Sequence, residues 1–370
     1  MTTLPSFAKR LLQRFNKQNR RRRRKQRKHV QEGAERYGLD PAACDEQYAA
    51  EINHYWHKHY GRSVHPLWHT LYDKRLKHRD VRFVPSYNWW EEIMPFFNDL
   101  TLRPTYLDKN LSDSFLSITQ SPATLIKRMH GHYYDADNQP LTSSAAHQRL
   151  IDASQPQIIK GSRTDNGDNI HLLESHNGCL EIDGETTPFT DLENHFGNNY
   201  IVQEKITQHP LIAKPHPSSV NTIRIVSFRW QDEIHILLSI LRFGIDGNIF
   251  DNASNGGIFC GIDRNGETHK TAFDKKGTAY CVHPTSGYEF SNQITIPNYP
   301  QLCELAVELH SQIFHFDIVS WDFSISPQSE PIFLEVNFRG SADTYQLASG
   351  KPLFGNLTDE VLKTVRESRK

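Results

Sequence analysis

The sequence predicts an α+β protein, two lobes with a cleft between them behind a helical N-terminal region, and three observations carry that expectation. The chain's 370 residues exceed what one hydrophobic core usually fills, so two or more subdomains are expected. Residues 37–104 carry helical spacing in EQYAAEINHYWHKHYG and HPLWHTLYDKRLKHRD. From about residue 105 the texture changes to short apolar runs separated by Gly, Asn and Asp, as strands and turns require.

Composition narrows the class. Charged residues at 23% and apolar residues at 37% are ordinary for a globular chain, and 20 Phe, 14 Tyr and 6 Trp supply material for a core. No run approaches the ~18 consecutive apolar residues of a membrane span. The start MTTLPSFAKRLL lacks the apolar stretch and small-residue cleavage site of a secretory signal, so a soluble, cytoplasmic body is expected. Cys44, Cys179, Cys260, Cys281 and Cys303 include no Cys-x-x-Cys pair and read as reduced structural thiols. The net charge of −1 hides an asymmetry. Residues 1–36 hold 13 Lys and Arg against two Glu, leaving 29 basic against 41 acidic residues from 37 onward, about −12. An acidic body argues against nucleic acid as its main ligand.

Element by element, residues 1–36 read as a basic tail. Phe7, Leu11, Leu12 and Phe15 form one apolar stripe of a helix, and Arg20 to Lys28 reads RRRRRKQRK. A run of like charge repels itself and is seldom packed, so the tail is expected to be a solvated, partly disordered extension. The sharper alternative is a peripheral anchor: residues 6–28 on the anionic inner face of a membrane, with the stripe in the lipid interface and the Arg run on headgroups. RNA binding is the third reading. In the helical region 37–104, His65 and His69 stand at i, i+4 and His54 and His57 at i, i+3. No carboxylate completes either pair as in His-Glu-x-x-His, so packing is the expected role. QIIKG, YIVQEKI, TIRIVSF, EIHILLSILRFG, IVSWDFSIS and PIFLEVN read as strands, and PQLCELAVELHSQI as a helix.

The most informative stretch is IVSWDFSISPQSEPIFLEVNFRG, Ile318 to Gly340. Trp321, Phe323 and Ile325 alternate with Asp322 and Ser324, and Ile332, Leu334 and Val336 with Phe333, Glu335 and Asn337. A hairpin closed around Ser326–Pro331 that keeps the apolar faces together has a register that sets Asp322 opposite Glu335, with Asn337 further along the same face. Two carboxylates and an amide oxygen so close need positive charge between them. Magnesium, with manganese as a substitute, fits that hard-oxygen set and leaves positions for phosphate oxygens. The bland alternative is a hairpin whose polar face is merely wet.

Here the sequence resembles the ATP-grasp superfamily, and in particular its sugar-transfer-associated branch. The resemblance runs from Thr105 to Gly355 through LDKNLSDSFL, IIKGSRTDNGDNIHLL, YIVQEKITQHP, PSSVNTIRIVSF, LRFGIDGNIFDNASNGGIFCGID, and WDFSIS with FLEVNFRG, in the expected order. It implies an ATP-grasp domain over 105–355, with a small lobe at about 120–205 and a large lobe at about 206–355, followed by a tail at 356–370. Lys160, and the earlier Lys109, would then direct their ammonium groups at nucleotide phosphate, helped by backbone N–H groups of the loop Gly161, Ser162, Asp165, Asn166 and Gly167. YIVQEKI would be the strand linking the lobes, with Gln203, Glu204 and Lys205 at the adenine and ribose. Asn221 and Arg224 would lie at the phosphates or at a developing acyl phosphate. Arg242 lies on the strand before the loop of Asn252, Gly256 and Gly257, which would border the cleft, and Arg339 would hold a carboxylate substrate. Asp322, Glu335 and Asn337 would hold the metal.

The resemblance implies an ATP-dependent carboxylate-amine ligase that passes through an acyl phosphate. Its small-molecule carboxylate and amine substrates would belong to surface polysaccharide synthesis. The alternatives are a phosphotransferase acting on a hydroxyl and a non-catalytic membrane or RNA adaptor using the Arg run.

Overall fold

A computed structural model describes residues 6–118, 120–164, 169–247, 251 and 256–369, with side chains from residue 20 onward. It divides into two compact units, Met1–Phe96 with Ser341–Lys370, and Phe97–Gly340.

The first unit is helical, with helices at Ser6–Tyr37, Glu46–Tyr60, Leu67–Leu76, Ala342–Ser349 and Thr358–Glu367. Asp45 starts the second of these by accepting from the Tyr48 amide at 2.8 Å, and Gly61 ends it at φ +75°. Between them Tyr48, Ile52, Trp56 and Tyr60 recur every four residues and bury one face, as 3.6 residues per turn dictates. Gln346 ties this core together: its Oε1 accepts from the Val84 and Leu353 amides, and its Nε2 donates to the Tyr72 hydroxyl and the Val84 carbonyl.

The basic run belongs to the Ser6–Tyr37 helix, whose later turns bury Val30, Ala34 and Tyr37. Arg22 Nε donates to Glu92 Oε1 at 2.8 Å and Lys25 Nζ to Glu91 Oε2 at 2.6 Å. Part of the run is therefore paired, which like-charge repulsion within the run does not anticipate. The side chains of Phe7, Leu11, Leu12 and Phe15 lie outside the described residues. His69 is fully buried with Nε2 at the Val81 carbonyl, and His65 Nδ1 accepts from the Leu67 amide. Among the described residues no group of three His, Cys, Asp or Glu is arranged to hold a metal.

The second unit carries two antiparallel sheets among the described residues. The strands of the first are β1 (Thr124–Met129), β2 (His132–Tyr134), β3 (Pro140–Leu141), β4 (Gln157–Gly161), β5 (Ile170–His176), β6 (Cys179–Ile182), β7 (Glu185–Thr186) and β8 (Tyr200–Glu204). Their order is β3-β2-β1-β8-β4-β5-β6-β7. Ala146, Leu150, Leu192 and Phe196 from helices Ser143–Ile151 and Phe189–Phe196 close a core with Ile126, Ile159, Leu173 and Val202. The strands of the second sheet are β9 (Ile223–Trp230), β10 (Glu233–Phe243), β11 (Ile258–Ile262), β12 (Thr268–Phe273), β13 (Ala279–Tyr280), β14 (Ile318–Ile325) and β15 (Pro331–Asn337). They run in the order β13-β12-β11-β10-β9-β14-β15. The helix Tyr299–Ser311 covers this sheet through Leu302, Ala306 and Leu309, where the sequence pattern places a helix.

Candidate active site

The second sheet lines up charge across four strands. In the β14–β15 ladder Asp322 faces Glu335 and Ser320 faces Asn337, while on the other side of β14 Asp322 faces Arg224 of β9. Arg224 in turn faces Ile240 of β10, two residues before Arg242. Beyond Asp322 the ladder shifts by one residue, so that Phe323 faces Phe333 and Leu334 is left as the extra residue. This corrects the strict alternation read along β15: the bulge turns Phe333 into the core, and Leu334 lines the cavity beside Glu335.

Positive charge flanks the two carboxylates, and the chain itself supplies it. Arg224 grips Asp322 with both arms, Nε to Oδ1 at 2.6 Å and Nη2 to Oδ2 at 2.5 Å, and Arg242 Nη1 reaches Oδ2 at 3.3 Å. Arg242 Nη2 also pairs with Asp251 Oδ1 at 3.1 Å, and Asp251 Oδ2 accepts from the Thr222 amide. Asn337 Nδ2 bridges Asp322 Oδ2 and Glu335 Oε1 at 3.2 and 3.1 Å. Lys109 Nζ lies 3.7 Å from Glu335 Oε2 and donates to the Thr164 carbonyl. Burial pushes the Glu335 carboxyl up, but Lys109, the Asn337 amide, Arg224 and Lys160 outweigh it and hold it at about 2. Burial pushes the Asp322 carboxyl up, against the pull of Arg224 and Arg242.

A cavity of about 380 Å³, within the range of small-molecule sites, opens against this row. Lys160, Gln203, Glu204, Lys205, Asp322 and Glu335 line it, with Arg242 and Asp251. Lys160 comes from β4 because Ile159 points into the small core and strand alternation sends the next residue the other way. Gly161 follows in a tight turn, where a Cβ would meet Thr164 Cγ2 at 2.7 Å. Desolvation, with repulsion from Lys109, lowers the Lys160 ammonium to about 8 against the pull of Glu335. It makes no ion pair among the described residues. Gln203 and Glu204 sit where β8 pairs with both β1 and β4, and Gln203 Nε2 is held by the Pro122 carbonyl and the Thr124 hydroxyl.

Other candidates fall elsewhere. Asn221 is fully buried and does not line the cavity; its Nδ2 donates to the Ile212 and His216 carbonyls and its Oδ1 accepts from Ser219. That amide fixes a loop and is unavailable to a nucleotide, which corrects its expected role. Arg339 is exposed just past β15 and outside the cavity lining. Gly256 and Gly257 precede β11, and Gly256 has φ +93°. Asn252, Asp165, Asn166 and Gly167 lie outside the described residues. Asp251 was missed in the sequence, where its one signal was an acid shortly after a strand carrying Arg242 among apolar neighbours.

An ammonium facing a cavity matches what phosphate oxygens require, and Glu335, with Lys109 no nearer its Oε2 than 3.7 Å, offers a hard oxygen to a divalent cation. ATP therefore fits the residues present, and magnesium fits at Glu335; Asp322 and Asn337 would join it once Asp322 yields an arginine contact and the Asn337 amide turns its oxygen inward in place of Nδ2. The family model for sugar-transfer associated ATP-grasp matches residues 91–361. The chain belongs to that family. Its fold is accordingly the ATP-grasp fold, here with an N-terminal helical region. No curated protein sequence matches this ATP-grasp chain.

Solved structures similar to it include the VanG D-Ala:D-Ser ligase from Enterococcus faecalis, 12% identical with a TM-score of 0.40, over 72% of this chain and 62% of that one. The D-alanine-D-alanine ligase from Coxiella burnetii is 11% identical with a TM-score of 0.41, over 74% and 61%. The L-amino acid ligase from Bacillus licheniformis is 11% identical with a TM-score of 0.36, over 70% and 47%. The ATP-grasp chain thus spans about three fifths of the length of the first two.

Proposed function

We propose that this protein is an ATP-dependent carboxylate-amine ligase acting through an acyl phosphate, with a sugar acid or its precursor in surface polysaccharide synthesis as the carboxylate. The observation that supports this most is the cavity wall itself, where Lys160, which makes no ion pair among the described residues, shares the lining with Asp322 and Glu335. ATP and magnesium would supply the transferable phosphoryl group and neutralise its charge. Asp322, Glu335 and Asn337 would hold the metal, and Lys160 and Lys109 would bind phosphate oxygens.

Glu204 and Gln203, on the strand joined to both β1 and β4, would take the base and ribose. Arg242, in the cavity wall, and Arg224, through its grip on Asp322, would stabilise the charge that develops there. One oxygen of the substrate carboxylate attacks the γ-phosphorus and ADP leaves. The amine then attacks the acyl carbon, loses a proton and expels inorganic phosphate, leaving an amide. Arg339, exposed beyond β15, is the candidate for orienting the carboxylate.

Hydroxylamine in place of the amine tests this. Incubated with ATP, magnesium and a panel of sugar acids, the enzyme should release ADP and accumulate an acyl hydroxamate. A stable phosphorylated hydroxyl product with no hydroxamate would instead identify a kinase.

A further inference from the structure

The first compact unit has a cavity of its own, of about 660 Å³. Its wall draws on stretches far apart in sequence: Arg21, Arg22 and Lys25 of the Ser6–Tyr37 helix, Arg62 just past the second helix, and Arg369 after the last. Glu91 and Glu92 are the two acids among them, so the lining carries five cations against two anions.

Glu92 organises the cluster. Its Oε1 accepts from Arg22 Nε at 2.8 Å, and its Oε2 accepts from Arg62 Nη1 at 2.9 Å, Arg369 Nη1 at 2.9 Å and the Tyr60 hydroxyl at 2.6 Å. Burial pushes this carboxyl up, but Tyr60, Arg22 and Arg62 outweigh it and hold it below the usual range, so it stays an anion. One such anion satisfies one guanidinium. Here it orients three, so that with Lys25 paired to Glu91 the surplus is two of these guanidinium charges and that of Arg21, and Arg22 Nη2 is buried with no hydrogen-bond partner among the described residues. Arg369 is further fixed by its stack on Tyr60, with Cζ 4.1 Å from the ring centre, and by the Tyr60 and Val365 carbonyls.

A pair made for stability alone needs one arginine per carboxylate, and unpaired buried donors weaken a fold. Pre-oriented planar forks around a cavity are instead the arrangement that recognises a tetrahedral oxyanion. The surplus of three charges corresponds to a phosphomonoester or a diphosphate. Phe96, 41% exposed, and Val365 add an apolar edge beside the cations.

We propose that this cavity is a second anion site, binding the phosphoryl or diphosphoryl group of a larger molecule through Arg21, Arg22, Arg62 and Arg369. The carrier is either a lipid with an exposed phosphate headgroup or a soluble phosphorylated compound, and both share this recognition.

The test is calorimetric titration of the full-length protein with sodium pyrophosphate at 0.15 M NaCl, paired with flotation on phosphatidylcholine vesicles doped with phosphatidic acid or, at matched charge, phosphatidylserine. Pyrophosphate should bind saturably in a Lys160→Ala variant, which disables the nucleotide site. Adding Arg62→Gln should weaken that binding at least tenfold. Because Arg62→Gln also loosens Glu92, Arg21→Ala, an exposed position, serves as the second variant and should weaken binding severalfold with an unchanged melting curve. Preference for phosphatidic acid over phosphatidylserine marks a lipid carrier, and pyrophosphate binding without that preference marks a soluble one; either supports the site. Pyrophosphate binding that vanishes with Lys160→Ala alone, or that survives both arginine substitutions unchanged, overturns it.

Discussion

Asp322 is held by two arginines, and that grip separates it from Glu335 as a target for mutation. Asp322→Asn removes the charge that takes both arms of Arg224 and a contact from Arg242, so it should cost about 3 kcal/mol of stability, read by urea unfolding. Glu335 is partly exposed, and Glu335→Gln should melt nearer the wild type while abolishing magnesium-dependent ATP turnover. Near-normal turnover in Glu335→Gln would remove this residue from the metal site. Lys160 makes a second prediction, in pH. Its folded-state value of about 8 lies below the ordinary 10.5, so between those values the folded chain binds fewer protons than the unfolded one. The group therefore costs stability below pH 8, and that cost is relieved as pH rises through the window. Phosphate needs the ammonium, so ATP affinity should fall as pH rises above 8, in a titration from pH 7 to 9.5, and Lys160→Arg should flatten the profile. Asp322, Glu335 and Asn337 were legible because strand alternation puts such residues on one face. Asp251 was not, since nothing local distinguishes a buried carboxylate in a polar loop from a wet one. Asn221 misled because the carbonyls that use up its amide are brought there by the path of residues 212–216.

The hairpin β14–β15 shows how far periodicity reaches at the level of the element. Its register at Asp322 and Glu335 follows from burying both apolar faces, and the sequence patterns of β4, β8, β9 and β10 likewise match strands. The bulge at Leu334 leaves no such mark, because one extra residue is only a phase change that either strand could absorb. Deleting Leu334 would restore a regular ladder and force a choice between sending Phe333 to the cavity and sending Glu335 to the core. The variant should lose ATP turnover and several degrees of melting temperature; a variant that kept both would show that the bulge does not position Glu335. Gly256 is a second element-level case. At φ +93° a side chain is strained, and its Cβ would lie 2.7 Å from Ile245 Cδ1. Gly256→Ala should cost about 1–2 kcal/mol by thermal unfolding.

On the scale of the whole molecule, charge and chain path matter more than any one strand. Among the described residues no helix is long and apolar enough to cross a membrane, so surface attraction is the route left to the basic helix in the anchor reading. Arg20, Arg23, Arg24 and Arg27 are exposed, whereas Arg22 and Lys25 are tied to Glu92 and Glu91. Changing these four to Gln, with the exposed Arg21 left in place, should therefore weaken capture by anionic liposomes in low salt, at roughly 1 kcal/mol per charge, without altering the melting curve. Sedimentation equal to wild type would rule out the Arg run as an anchor. The pairing of Ser341–Lys370 with the first ninety-six residues was not legible, because contacts between distant helices leave no local period. Leu347, Val361, Leu362 and Val365 complete that core, and the Val84 amide and carbonyl wait for Gln346. A ribosome delivers Phe97–Gly340 whole before those residues emerge. The part synthesised first is thus the part that must finish folding last, and its half-built core, with Trp89 still without Phe354 and Tyr72 without Gln346, is what a chaperone would meet on the nascent chain.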